Sequence, residues 1–309
     1  MPDRSRIMVS MNRLTPERRK QVIAALVEGN SIRATVRMTG VAKNTVAKLL
    51  VDLGTVSSIY QDRVMRDLSC ERIQTDEIWA FVGAKQKNVK PEKRNEGWGD
   101  VWTWVAIDSD TKLVPSYRVG ARDVAEAQAF MDDLAGRLRH RVQLTSDGHH
   151  AYLSAVEGAF EGDVDYAQLI KLYGSTDGGR KSGAAKYSPG VCIGSHADVV
   201  SGSPDPAHIS TSHVERANLT MRMSMRRFTR LTNAFSKKVE NLAAAVSLHF
   251  AFYNFGRVHQ TLGTTPAVAA GVADHVWTLD ELIGLLEAAE RVLVRRAHYA
   301  KTRAQRAQS

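Results

Sequence analysis

The chain has 309 residues, of which 43% are hydrophobic and 24% charged, a composition typical of a soluble globular protein with room for about two domains. Its formal net charge of +9 at pH 7 favours a polyanionic partner such as nucleic acid, although a solvated basic face is also common without one. The two cysteines, Cys70 and Cys192, have no metal-ligand spacing, which argues against a disulfide scaffold and fits a reducing compartment. No apolar run approaches the length of a membrane span and no signal peptide is recognisable, so we expect a cytoplasmic protein without a membrane partner.

Three short helices are predicted first, at residues 16–28, 31–38 and 43–53, with glycines at the turns between them. The last two have the pattern of a helix-turn-helix, in which the start of the second helix enters a major groove. The side chains expected to bind DNA there are polar or basic and can bond base edges and phosphates: Lys43, Asn44, Thr45 and Lys48. An ordinary pair of core helices is the alternative interpretation.

From residue 70 the pattern changes. Val, Ile, Trp and Tyr are frequent in three segments that are predicted to be strands, at residues 72–83, 101–108 and 112–119. A helix, a short strand and another helix are predicted after them, at residues 123–138, 142–146 and 151–159. This order predicts an α/β domain with a mixed sheet covered by helices.

The next segment, residues 174–211, is rich in Gly, Ser and Pro and is predicted to be a long loop, functional or disordered. Zinc bound at Cys192 and His196 is a less favoured interpretation of part of it. Helical periodicity returns at residues 214–228 and 239–252. Thr278 and Glu281 then form a capping box that opens a further helix, and the basic end of the chain is expected to fray.

Three acidic residues lie where a carboxylate is unusual or where strands end. Asp76 shares a strand face with apolar residues, where a charge is costly unless it is used, and alternation alone does not decide between it and Glu77. Asp147 ends a strand. Glu215 lies beside the apolar face of a helix, with Asn218 along the same polar flank. Carboxylates converging from different elements are what metal-dependent phosphoryl transfer needs, although each of these alone is commoner as a turn, cap or surface residue.

With their surroundings, these acids resemble the insertion-sequence transposases of the IS-one family. The matching segments are DEIWAFVGAK (76–85), SDGHHAY (146–152) and HVERANLTMRMSMRR (213–227). The resemblance implies a ribonuclease H-like DDE transposase, and residue by residue it makes Asp76, Asp147 and Glu215 the catalytic and metal-binding residues. The interval between Asp147 and Glu215 is longer than we expect, and residues 174–211 account for the excess.

The resemblance also implies a domain organisation and a reaction. We expect an all-α helix-turn-helix domain, a linker, a catalytic domain containing an insertion, and a C-terminal helix with a basic tail, at residues 1–55, 56–70, 71–275 (insertion 174–211) and 276–309. Two Mg²⁺ ions, or alternatively Mn²⁺, are the expected cofactors. The implied function is recognition of the terminal inverted repeats of an insertion sequence, cleavage of double-stranded DNA and strand transfer, by a homo-oligomer on DNA.

A basic stripe around Glu215 is predicted to bind DNA phosphates, through Arg216, Asn218, Arg222, Arg226, Arg227 and Arg230. Residues 252–270 resemble the segment that closes the catalytic domain in several such enzymes, and their polar side chains either contact DNA or pack the helix end: Tyr253, Asn254, Arg257 and His259. Two other functions stay open. One is a DNA-binding regulator with a degenerate nuclease core, and the other is a hydrolytic nuclease of the same fold that nicks DNA without joining it.

Overall fold

Residues 14–94, 96–174, 191–229 and 232–306 are described by the computed structural model, without the side chains of residues 94, 173, 191 and 294–306. The chain begins with three helices, α1 (Pro16–Val27), α2 (Ile32–Thr39) and α3 (Lys43–Val64). Ser31 caps α2 by accepting a hydrogen bond from Ala34 N at 3.1 Å. Gly40 ends α2 with a φ of 68°, the left-handed conformation that favours glycine.

The third helix is longer than predicted. It continues past residue 53 to Val64, through residues that were expected to be a linker or another short helix. Gly54 is a helix-interior glycine because it lies against α8 (Val239–Ala251), where an added Cβ would be 2.0 Å from Ala244 O. The glycine that was expected to end the helix therefore allows two helices to approach closely.

The centre of the fold is a six-stranded mixed sheet with the strand order β3-β2-β1-β4-β5-β6. Its strands are β1 (Arg72–Val82), β2 (Gly99–Asp108), β3 (Tyr117–Gly120), β4 (Gln143–Asp147), β5 (Asp165–Gly174) and β6 (Val191–Ser201). The first three strands pair antiparallel, β1, β4 and β5 pair parallel, and β6 pairs antiparallel with β5. The predicted α/β class, with a mixed sheet flanked by helices, is confirmed.

Two apolar cores lie on the two faces of this sheet. The core on one face also contains residues of α1, α2, α3, α8 and two further helices, α7 (Ser212–Ser224) and α10 (Leu279–Arg306). The other face packs against α5 (Val124–Ala135) and α6 (Ala151–Phe160). The short helices α4 (Pro91–Arg94) and α9 (Pro266–Ala269) complete the described helices. Because alternate residues of a strand face opposite sides, Ile78 of β1 belongs to the first core and Ile73 to the second.

One loop prediction and one strand prediction were wrong in part. Residues 174–211 were expected to be a loop, but Val191–Ser201 form β6, while residues 175–190 lie outside the described part of the chain. β6 is an edge strand with exposed side chains, so it lacks the alternation of a half-buried strand and is held by its pairing with β5. Strand β3 begins at Tyr117, not at residue 112, because the side chain of Asn254 bonds both the N–H and the C=O of Val114 at 3.0 Å.

The C-terminal helix α10 begins with a capping box and is held to α1 by an ion pair. The capping box at its start is confirmed, since Glu281 Oε2 accepts from Thr278 N at 2.8 Å and Thr278 Oγ1 accepts from Glu281 N at 3.3 Å. Arg19 of α1 donates to both carboxylate oxygens of Glu290 in α10. The end of the chain was expected to fray, but α10 extends to residue 306. Within the described residues, no helix combines the length and the apolar character that a membrane span requires.

Candidate metal centre

Asp76, Asp147 and Glu215 come from three different elements and line one cleft of about 420 Å³. Asp76 lies in β1, Asp147 is the last residue of β4 and Glu215 lies in the first turn of α7. The pairing of β1 with β4 extends only to Thr75 opposite Ser146, so Asp76 and Asp147 both follow the last paired residues. The rest of the lining comes from the turn after β4 and from β5: Gly148, Leu169, Ile170 and Lys171.

Asp76 faces α7. Asn218 Nδ2 donates to Asp76 Oδ2 at 2.9 Å, and Gln74, two residues earlier in β1, accepts hydrogen bonds from the backbone N–H groups of His213 and Val214. These bonds fix the start of α7 over β1. Burial, and next the nearby charge of Asp147, raise the pKa of Asp76 to about 6.

Glu77 projects to the opposite face of the sheet, as alternation predicts. Its side chain is 2% exposed, and it accepts a hydrogen bond from Arg122 Nε at 3.0 Å. Burial is the main cause that raises the pKa of Glu77 to about 7. Its other oxygen, Oε1, is buried without a hydrogen-bond partner among the described residues, as is Asn218 Oδ1.

Asp147 lies just past the end of the β1–β4 pairing, so its carboxylate can lie near acids on both faces of the sheet. Asp76, Glu77 and Asp147 each offer one carboxylate oxygen, and these oxygens lie within 4.8 Å of one another. Three carboxylates this close repel one another when they are charged, and hard divalent cations such as Mg²⁺ prefer oxygen ligands. The crowded carboxylates therefore fit a divalent cation. Over the described ranges no comparable group forms around Cys192 and His196.

Glu215 is on the same cleft but outside that compact group. Its side chain is 44% exposed, and one carboxylate oxygen is bonded by Lys171 Nζ and, at 2.6 Å, by Thr211 Oγ1. Sequence reasoning left Glu77 undecided and did not single out Lys171. The sequence signal for Glu77 is its position next to Asp76, because two adjacent acids in a strand point to opposite faces of the sheet. Asp147, just past the end of the neighbouring strand β4, can then lie close to both.

The residues predicted to bind DNA differ in their exposure. Lys43, Asn44 and Thr45 are exposed at the start of α3, whereas Lys48 is half-buried and paired with Asp52. On and after α7, Arg216 and Arg226 are exposed, and Arg222 is half-buried. Asn218 is buried and engaged with Asp76. Arg227 donates to Ser236 and burial lowers its pKa to about 10, and Arg230 lies outside the described residues.

Residues 252–270 combine packing and exposed basic groups. Tyr253 and Asn254 are buried, and their side chains bond the backbone of Lys112 and Val114. These two therefore pack the helix end. Arg257 and His259 are not fully buried, and Arg257 donates to Ser224 Oγ at 3.0 Å.

The sequence matches no protein-family model and no curated protein. Among solved structures, this chain is similar to a piggyBac transposase synaptic complex with hairpin DNA, with 10% identity over 96% of this chain and 75% of that chain and a TM-score of 0.37. It is also similar to a pre-cleavage Mos1 transpososome, with 11% identity over 79% of this chain and 80% of that chain and a TM-score of 0.25.

Proposed function

We propose that this protein is a DDE transposase of the IS-one type, which cuts DNA at the ends of an insertion sequence and joins those ends to target DNA. The observation that carries this proposal is the meeting of Asp76, Asp147 and Glu215, far apart along the chain, on one cleft. The strand order, with a three-stranded antiparallel meander followed by two parallel strands, supports the ribonuclease H-like core that the sequence resemblance implies.

Two divalent ions, Mg²⁺ or alternatively Mn²⁺, are the proposed cofactors, held by Asp76, Asp147 and Glu215. Glu77 adds a fourth carboxylate within reach of the first two. When bound, such ions activate the attacking oxygen and stabilise the leaving oxygen of a phosphoryl transfer.

The chain's own side chains orient this site and attract its substrate. Asn218 holds the Asp76 carboxylate toward α7, and Arg122 neutralises Glu77 from the opposite face. Lys171 brings an ammonium group to the wall of the cleft, where it can attract a DNA phosphate. The exposed guanidinium groups of Arg216 and Arg226 lie on and just after α7, and they extend the basic surface away from the acids.

Recognition of the element's terminal inverted repeats is proposed for the helix-turn-helix formed by α2 and α3. The exposed Lys43, Asn44 and Thr45 at the start of α3 support it, because the first residues of a recognition helix contact base edges. The division into domains and the action as a homo-oligomer on DNA belong to the same proposal.

A strand-transfer assay tests the proposal, with DNA carrying the element ends, a supercoiled plasmid as the target, and Mg²⁺. We expect the wild type to yield joined products, and Asp76→Asn and Glu215→Gln to bind DNA without cutting it. Glu157→Gln removes an exposed acid of α6 outside the cleft and is expected to keep full activity. Full activity in either cleft variant contradicts the proposal.

The same assay separates the two competing functions. A hydrolytic nuclease nicks the plasmid in an Asp76-dependent way but never joins the ends. A DNA-binding regulator shifts the DNA in a gel and neither nicks nor joins it.

A single comparison can also decide which acid completes the site. Because Glu215 lines the cleft while Glu77 is engaged with Arg122, we expect Glu215→Gln to lower cleavage more than Glu77→Gln does.

A further inference from the structure

The two edges of the six-stranded sheet differ in how they are protected. β3, at one edge, has only four residues, and its exposed Arg118 pairs with Glu126 of α5. β6, at the other edge, has eleven residues, and its sequence VCIGSHADVVS contains no lysine, arginine or proline. A short strand, charged side chains and proline are common means of keeping an edge strand from pairing with another chain. Strand β6 lacks all three.

The outer side of β6 is open within the part of the chain that the structure describes. The strand pairs with β5 alone, and residues 195–200 are all exposed. Apolar side chains are included, since Ile193 is 70% exposed and Val199 is 59% exposed. The pairing with β5 has no register shift between Gly194 and Val199. This regular stretch therefore offers the hydrogen-bonding groups of its outer edge together with exposed apolar side chains.

The charged side chains of β6 are arranged symmetrically about Ala197. His196 and Asp198 flank it and, being two residues apart in a strand, point to the same face. His196 Nε2 is 3.6 Å from Asp198 Oδ1, and both side chains are more than half exposed, so each can take a further partner. In an antiparallel pair of two β6 strands about a two-fold axis at Ala197, His196 of each copy faces Asp198 of the other. An imidazole can donate a hydrogen bond to a carboxylate, and facing pairs of this kind stabilise a sheet.

The same register brings the exposed apolar side chains together. Ile193 of each copy becomes a diagonal neighbour of Val199 in the other copy, within reach of its side chain. A register centred on His196 or on Asp198 instead sets like side chains opposite each other. The pattern of β6 is therefore complementary to itself when the axis passes through Ala197.

We propose that β6 pairs antiparallel with β6 of a second copy of this chain, about a two-fold axis at Ala197, so that the two sheets form one continuous sheet. The inference rests on the proposed function, and deepens it, by naming the interface of the homo-oligomer that acts on DNA. Lys171 of the cleft lies in β5 opposite Ser195, close to this interface. A two-fold axis perpendicular to the sheet leaves the same face of both copies on the same side. Both clefts then open on one side, where a single DNA complex can reach them.

Sedimentation equilibrium of the full chain without DNA or metal measures the dissociation constant of the dimer. We expect a monomer–dimer equilibrium for the wild type, and for Ala197→Lys, which sets two lysines opposite each other, a dissociation constant about tenfold higher. Ala125→Lys makes the same change at an exposed alanine of α5 and is the matched control, expected to keep the wild-type constant. A wild type that stays monomeric, or a dimer that Ala197→Lys does not weaken, overturns the inference.

An exchange of the two charged side chains tests the register. His196→Asp sets an acid opposite Asp198 of the other copy, so the dissociation constant should rise about tenfold. His196→Asp/Asp198→His makes the facing residues complementary again and should restore the wild-type constant. A double variant that dimerises as weakly as the single variant contradicts pairing about Ala197.

Cross-linking tests the same register independently. In a Cys192→Ser background, Ala197→Cys should give a disulfide-linked dimer under mild oxidation, because the two positions face each other and Cys70 is buried. Ser195→Cys in the same background is the control. The two copies of residue 195 lie four strand positions, roughly 13 Å, apart, which is too far for a disulfide. Equal cross-linking of the two variants, or none of Ala197→Cys, overturns the inference.

The strand-transfer assay separates this inference from the proposed function. If the wild type joins DNA ends while it stays monomeric or dimerises independently of β6, only this inference fails. If β6 pairs as described and no DNA is cut, the proposed function fails instead.

Discussion

Glu290 on α10 and Asp76 on β1 are both acids withdrawn from solvent. The neighbour of Glu290 is a cation, whereas the neighbours of Asp76 are other acids. Glu290 accepts hydrogen bonds from Arg19 at 3.1 and 3.3 Å, and both side chains are 9% exposed. Asp76 accepts a side-chain hydrogen bond from Asn218, and the acidic groups within 4.8 Å of it are the carboxylates of Glu77 and Asp147.

The difference indicates what each group of charges does. The Arg19–Glu290 pair neutralises itself and joins α1 to α10, so its loss leaves a buried charge without its partner. The crowded carboxylates of the cleft cost free energy in the folded protein, which is a mark of sites retained for chemistry. Substitutions at the two places are therefore expected to act in opposite directions on stability and activity.

The largest effect is expected for Asp147→Asn. It removes the carboxylate that meets acids from both faces of the sheet, so cleavage should fall by roughly a thousandfold or more, the equivalent of several kcal/mol of transition-state stabilisation. The melting temperature of the metal-free variant should equal or exceed that of the wild type, because one of three repelling charges is gone. Added Mg²⁺ should raise the melting temperature of the wild type alone. A destabilised variant would show that Asp147 is structural.

The opposite result is expected for Glu290→Gln. Removing one partner of a buried ion pair should lower the free energy of unfolding by about 3–5 kcal/mol, measured by urea denaturation. Cleavage per folded molecule should not change. Asp280→Asn is the control, because Asp280 is 67% exposed and pairs with a half-exposed Lys20, and we expect a loss below about 1 kcal/mol. Equal losses in both variants would contradict the distinction between the two pairs.

A smaller effect is expected from pH. The pKa of Asp76 is raised from 3.8 to about 6 and that of Glu77 from 4.5 to about 7, so the folded protein binds these protons more tightly than the unfolded chain. The metal-free protein should therefore lose stability as pH rises from about 4 to about 7, with the full cost present above that range. In Asp76→Asn the loss should be smaller by roughly 3 kcal/mol. Urea denaturation at several pH values measures it, and Glu157→Gln should follow the wild type.

The smallest effect is expected for Asn218→Ala. The hydrogen bond from Asn218 favours the charged form of Asp76, so its loss should raise the pKa of Asp76 and move the rising limb of the pH–rate profile to higher pH. A bond of this kind contributes about 1–3 kcal/mol, and at neutral pH cleavage should fall about tenfold. Thr220→Ala, which removes a hydroxyl bonded only to the backbone of α7, is expected to leave the profile unchanged. An unshifted profile in Asn218→Ala would mean that Asn218 only packs.

Local signals predicted the elements whose ends are set by neighbouring residues. The Ser31 cap, the Gly40 turn and the Thr278–Glu281 capping box are contacts between residues a few positions apart, and all three are present. The prediction was wrong where a distant segment decides. Gly54 is inside a helix because α8 lies against it, and β6 is a strand because β5 pairs with it.

The candidate site, like the fold, depends partly on local sequence and partly on contacts between distant segments. The sequence by itself determined which acids are candidates, since Asp76 is costly in an apolar strand and Asp147 lies at a strand end, and the assignment of their catalytic roles stays a prediction. Only the tertiary structure decided that Asp76, Asp147 and Glu215 line one cleft and that Glu77 comes within 4.8 Å of two of them. The physical reason is that strand alternation assigns a residue to a face, whereas the distance between two faces or two strand ends depends on the register of the sheet and on the helices packed against it.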